Sequence, residues 1–134
     1  MSVSVRTLFE QNRDQLQLAW LTGEDGADRD AAPGSTEPAD LVGYLNLIHP
    51  NRIHVFGHAE AAYTRRVGAA RSASLDDDLV AGHPPAIIVA DGLAAPADLL
   101  ERASADGLPV LGTPLPAARV IEFLRVYLTK AIAK

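Results

Sequence analysis

The chain reads as an α/β domain, a mixed or parallel sheet that carries a βαβ unit and is flanked by further helices. Three observations predict this. Two short apolar runs rich in β-branched residues, 86–90 and 109–111, bracket an amphipathic segment at 96–106. Strands joined through a crossover helix lie parallel, and the crossover is right-handed. Elsewhere helical and strand-like patterns alternate, with no internal repeat and no long low-complexity tract. The 134 residues suit one domain, 1–134, large enough to bury a core without disulfide or metal staples.

Taken in order, Ser4 is placed to cap a first helix over 5–15, with Val5, Leu8, Phe9 and Leu16 near helical spacing. Residues 16–21 then alternate as a half-buried strand does, with Leu16, Leu18 and Trp20 on one face. Residues 23–38 are rich in Gly, Asp, Pro, Ser and Thr and read as turn and loop, with a brief strand near 28–31. From Asp40, the residues Leu41, Val42, Tyr44, Leu45 and Ile48 follow a helix-like pattern that also fits a strand, ended by His49-Pro50-Asn51. Residues 52–57 alternate as a strand, and 60–67 look helical. Residues 68–74 read as an exposed connection. Ser74 then caps a short helix over 75–81, whose Asp76, Asp77 and Asp78 suit the positive end of a helix dipole. Pro96 opens the crossover helix and Gly107 stops it. After the strand at 109–111, Pro116 introduces a long terminal helix. Its apolar face is Val120, Ile121, Phe123, Leu124, Tyr127, Leu128 and Ile132.

Composition removes several function classes. A net charge of −5 with only two lysines, Lys130 and Lys134, argues against nucleic acid, which needs clustered basic side chains. With no cysteine, disulfides, thiolate nucleophiles and Cys-ligated metals are excluded. No apolar run approaches the roughly 18 residues needed to cross a bilayer. The first six residues lack the pattern of a signal peptide. A cytoplasmic protein with no membrane partner is expected.

The candidate sites are few. His54 and His58 are four apart, but on a strand that spacing spans about 13 Å, too far for one ion. His49 and His83 sit in Pro-flanked turns, so all four histidines are expected to be solvated and no metal site is assigned. Asp76-Asp77-Asp78 lacks the glycine and the final glutamate of a calcium loop and reads as a solvated helix start. Ser35, Ser72, Ser74 and Ser104 lack the Gly-x-Ser-x-Gly elbow. There is no Gly-Lys pair anywhere, hence no P-loop, and no Gly-x-Gly-x-x-Gly dinucleotide loop. What remains is the pair of strand ends. Asp91 and Gly92 follow one strand, Thr113 follows the other, and ligands of open α/β sheets bind at such ends. Asp91, Gly92 and Thr113 are therefore the candidate ligand-binding residues. In the plainer alternative, Gly92 and Gly112 permit tight turns, Asp91 caps locally and Thr113 caps the last helix.

Several ordered motifs also carry a family resemblance. Leu41-Val42-Gly43-Tyr44-Leu45-Asn46 followed by Arg52-Ile53-His54-Val55-Phe56-Gly57-His58-Ala59-Glu60 resembles the N-terminal domain of bacterial HPr kinase/phosphorylase. Pro84-Pro85-Ala86-Ile87-Ile88-Val89 with Gly92-Leu93, then Pro109-Val110-Leu111-Gly112-Thr113, continue the likeness. Ser4-Val5-Arg6-Thr7-Leu8, Leu18 and Gly23 extend it to the start, so it covers essentially the entire chain.

The resemblance implies an α/β fold similar to the substrate-binding domain of the Mur ligases. It implies a cytoplasmic, homohexameric parent enzyme of carbon-catabolite control. That parent phosphorylates a serine of the phosphocarrier HPr with ATP or pyrophosphate and Mg²⁺, and reverses the reaction by phosphorolysis. The family's P-loop, catalytic carboxylate and HPr-binding loops belong to a C-terminal domain beyond Lys134. No catalytic residue, cofactor or metal is therefore expected in this chain, which by itself should be inactive. The implied partners are its own C-terminal catalytic domain, neighbouring subunits and, through the parent enzyme, HPr. The charged helix face of Asp98, Glu101, Arg102 and Asp106 is a candidate contact surface. A different class of function, a module for a sugar phosphate or nucleotide sugar at Asp91, Gly92 and Thr113, is the alternative.

Overall fold

In the computed structural model, residues 3–33, 41–45 and 52–132 are described. Helix α1 (Val5–Leu16) begins where Ser4 Oγ accepts the Thr7 amide. It ends at Gln17, which turns left-handed with φ 52°. Strand β1 (Ala19–Thr22) and a 3-10 turn (Glu24–Gly26) follow. Strands β2 (Val42–Tyr44) and β3 (Ile53–Phe56) precede helices α2 (His58–Val67) and α3 (Ala69–Ala81). The order closes with β4 (Ile87–Val89), α4 (Ala97–Asp106), β5 (Val110–Gly112) and α5 (Ala117–Ile132).

The five strands form one mixed sheet in the order β1-β5-β4-β3-β2. Strands β2 to β5 run parallel, and β1 pairs antiparallel with β5 on the far edge. The expected βαβ unit is β4-α4-β5. Side chains divide between the two faces with period two, as the pleat demands. Ile88 and Leu111 join Ile53, Val55 and the inner faces of α1 and α5 in one core. Ile87, Val89 and Val110 join Phe56, Leu79, Leu99 and Ala103 in the other. Helices on both faces explain why β4 reads as an unbroken apolar run with no polar alternation.

Three readings need correction, and one left open between helix and strand is decided. Leu16 is the last helical residue of α1, not the start of a strand. Leu8, Asn12 and Leu16 continue its buried stripe, so the residue satisfies both periods and the helix claims it. The run after Asp40 is strand β2 over its described part. Its Gly43 lies against the Arg52 guanidinium, 2.4 Å from where a Cβ would stand, and Arg52 Nη2 donates to Tyr44 O at 2.6 Å. Residues 68–74 are not a loop: α3 begins at Ala69, and Ser72 Oγ donates to Thr64 O at 3.0 Å. Alanines have high helix propensity but give no apolar stripe, so pattern alone misses them. Ser74 is therefore mid-helix, and Asp76, Asp77 and Asp78 lie in the second half of α3, away from the favourable pole of its dipole. Finally, His54 is fully buried on β3 rather than solvated. Ser35, His49 and Lys134 lie outside the described residues.

Among the described residues, no helix is long and apolar enough to cross a membrane.

Candidate functional site

The chain leaves β4 and β5 toward opposite faces, since α4 packs in one core and α5 in the other. Such a divergence opens the crevice where α/β sheets take ligands. Asp91, Gly92 and Thr113 all come together there, as their position after adjacent strands requires.

Hydrogen bonds within the chain close the crevice. The Asp91 amide donates to Leu115 O at 2.8 Å and the Gly92 amide to Thr113 O at 3.1 Å. Asp91 and Gly92 are both left-handed, with φ of 61° and 68°. Thr113 is 5% exposed. Its amide reaches Val89 O at 2.9 Å. Its hydroxyl donates to Leu16 O and accepts the Leu115 amide at 3.1 Å. Thr113 therefore ties the β5–α5 turn to the end of α1, and does not cap α5.

Asp91 has a wider reach. Its Oδ2 accepts the His58 amide at 3.1 Å, and its Oδ1 accepts the Ala117 amide at 3.2 Å. These are the first helical residues of α2 and α5, so one carboxylate caps two helices that belong to different cores. Each N-terminus offers orphan amides and a positive dipole end, and a carboxylate satisfies both. The approach is close: a Cβ at Gly57 would lie 2.8 Å from Asp91 Oδ2. Glu60 completes the α2 start by accepting the Gly57 amide at 2.8 Å.

A depression of about 570 Å³ opens above this junction, lined by Tyr44, His58, Glu60, Asp91, Ala117 and Ala118. His58 Nε2 stands 4.0 Å from Asp91 Oδ2 and its side chain is 75% exposed. His54 and His58 fall on separate elements, one buried and one at the surface.

The acidic run of α3 is the feature sequence reasoning placed wrongly. Asp77 pairs with Arg102 of α4, and the hydrogen bond from Arg102 raises that guanidinium's pKa further. Nδ1 of His83 stands 3.6 Å from Asp106. Two members of the charged α4 face thus bind groups of α3 and the turn that follows it. Asp76 is different: burial pushes its carboxyl from 3.8 up to about 6, Asp98 and Asp77 add to the rise, and Arg102 opposes it. The folded chain then holds a proton between these two values that the unfolded chain has lost. Stability therefore falls as pH rises through that window, with no penalty below it and the full penalty above. Asp76→Asn should raise the melting temperature by about 3 °C at neutral pH, a gain of about 1 kcal/mol after solvent screening. The gain should vanish near pH 4. A thermal melt series checks this, and a gain larger in acid than at neutral pH would reverse the assignment.

Comparison with known proteins follows the same chain from end to end. The family model described as HPr Serine kinase N terminus matches residues 3–128. HPr kinase/phosphorylase of Bordetella pertussis is 44% identical over 131 residues, covering 98% of this chain and 42% of that protein. The Bordetella avium protein of the same name is 43% identical over 131 residues with the same coverage. That of Burkholderia mallei is 41% identical over 136 residues, again 98% and 42%. The chain thus spans less than half the length of these relatives, along the part that the family model describes. It belongs to the HPr serine kinase N-terminus family.

Proposed function

We propose that the chain is the non-catalytic N-terminal domain of a bifunctional HPr kinase/phosphorylase, with a regulatory or assembly role. The observation that supports this best is the 44% identity to such an enzyme over 98% of the chain, in a sequence with no Gly-Lys pair from which to build a P-loop. The relevant partners on this reading are the parent's own catalytic domain, neighbouring subunits of a hexamer and, through the parent, HPr. Mg²⁺ with ATP or pyrophosphate belongs to that catalytic domain. The cytoplasm is the compartment in which this chemistry is proposed to run.

The electrostatics of the junction agree. The N-termini of α2 and α5 converge as two helix ends that bind a phosphoryl group would, but Asp91 already occupies them with its own negative charge. A polyphosphate approaching there meets a carboxylate, which does not fit phosphate recognition. Calorimetric titration with MgATP and with pyrophosphate should give no saturable binding to the chain; a binding isotherm for either would contradict the proposal.

The second reading, a sugar-phosphate or nucleotide-sugar module, has the depression beside Asp91 in its favour. Against it, both oxygens of Asp91, the Gly92 amide and the Thr113 hydroxyl are engaged within the chain. A rise in melting temperature with a sugar phosphate, lost in Asp91→Asn, would favour that module.

A further inference from the structure

A second cavity lies on the other side of α2, and its chemistry differs from the Asp91 junction. It measures about 360 Å³ and sits between α2 and α3, at the C-terminal ends of β2 and β3. Its walls are apolar: Phe56 from the end of β3, Leu75 and Leu79 from α3, and Leu45 just beyond β2. This volume falls within the range of small-molecule sites, and the carboxyl edge of a parallel sheet is where such sites form.

The polar groups at its wall are unequal. Thr64 Oγ1 donates to Ala61 O at 2.9 Å, and Glu60 Oε1 is held by the Gly57 amide. Asp76 makes no hydrogen bond to another described residue, although burial has removed part of its water. The nearest cation, Arg102, is committed to Asp77 and to Asp98 O. Tyr63, 38% exposed, forms the aromatic rim, with the Arg66 guanidinium 5.3 Å from its ring centre. The charged groups acting on Asp76 are Asp77 on its own helix and Asp98 and Arg102 from α4, and Glu60 of α2 lines the same cavity. The balance is acidic.

We propose that this pocket binds a small organic cation, a primary ammonium group on an apolar body, with Asp76 as its counter-ion. The apolar body takes the place of water against Phe56, Leu75 and Leu79. The ammonium supplies the hydrogen-bond donor that a partly desolvated carboxylate lacks. An anion is disfavoured by the surrounding carboxylates, and a neutral ligand brings no charge to pair with Asp76. The site is independent of the proposed role in an HPr kinase/phosphorylase.

The test uses phenethylamine and its neutral counterpart 2-phenylethanol, titrated into the chain while the amide resonances are followed by NMR. Phenethylammonium should shift the amides of Phe56, Tyr63, Leu75 and Leu79 saturably. It should bind about tenfold tighter than the alcohol, a difference of about 1.4 kcal/mol. Asp76→Asn should abolish that preference and leave the alcohol unaffected. Thr64→Phe, which fills the pocket, should remove both. Lowering the pH of the unsubstituted chain to about 4, well below the Asp76 value of about 6, should erase the same preference without any substitution, because Asp76 then carries a proton. The proposal is overturned by shifts centred elsewhere, by no saturable shift, by equal affinities at neutral pH, or by a preference that survives both Asp76→Asn and acidification.

Discussion

Gly23→Ala should unfold the domain or cost it at least about 4 kcal/mol, the size of effect reserved for a backbone collision in a packed interior. Gly23 has φ 76°, and a Cβ there would lie 1.9 Å from Leu108 O and 2.7 Å from the Pro109 nitrogen. Those atoms lead into β5, at the centre of the β1–β5–β4 ladder, and backbone cannot rotate aside as a side chain can. Gly107→Ala is the matched control. It shares the left-handed backbone, with φ 66°, but has nothing within 4 Å of the new Cβ, so it should cost only about 1 kcal/mol, the local strain. Chemical denaturation of both variants decides the matter: equal losses would mean that the approach of Gly23 to β5 is not what holds this edge.

Asp91→Ala should lower stability by about 3 kcal/mol. Two helix caps contribute about 1 kcal/mol each, and Ala at φ 61° adds strain of about 1 kcal/mol. For a domain of this size that amounts to a drop in melting temperature of about 10 °C. Asp91→Asn keeps one acceptor and tolerates the left-handed backbone, so it should lose about 1 kcal/mol. Asp91→Gly relieves the strain but loses both caps and should fall between them. The series also discriminates roles. A residue kept for an external ligand would tolerate Ala with little change in thermal stability; a residue that joins α2 to α5 cannot. Thermal melts of the three variants, ranked Asn, Gly, Ala in order of increasing loss, are the check.

Much of this architecture is legible in the sequence because short-range patterns carry it. Ser4 caps α1 as its hydroxyl and position imply, Gly107 stops α4 in the left-handed conformation, and the apolar runs at β4 and β5 are buried as β-branched runs should be. What pattern reading misses depends on distant partners or on residues without a stripe. Leu16 fits two periods at once, and only packing against the sheet chooses between them. The start of α3 is alanines and serines around Arg71, so no apolar stripe marks the buried side. Parallel pairing with β3 fixes β2 as a strand, although its side chains also fit a helix. For the candidate site, sequence finds the right neighbourhood, since Asp91, Gly92 and Thr113 do meet between β4 and β5. It does not reveal that the Asp91 carboxylate reaches 33 residues back to His58 and 26 forward to Ala117. Nor does it show that Asp76 stands at an apolar cavity, because the register of α3 against α2 is a tertiary fact.

We propose that this domain is part of a kinase/phosphorylase and does not itself perform that enzyme's chemistry. The most direct measurement incubates the chain with HPr, Mg²⁺ and either ATP or pyrophosphate, and counts phosphoserine on HPr by mass spectrometry. No phosphoserine above the enzyme-free control should form with either donor; time-dependent phosphoserine proportional to the concentration of this chain would overturn that proposal.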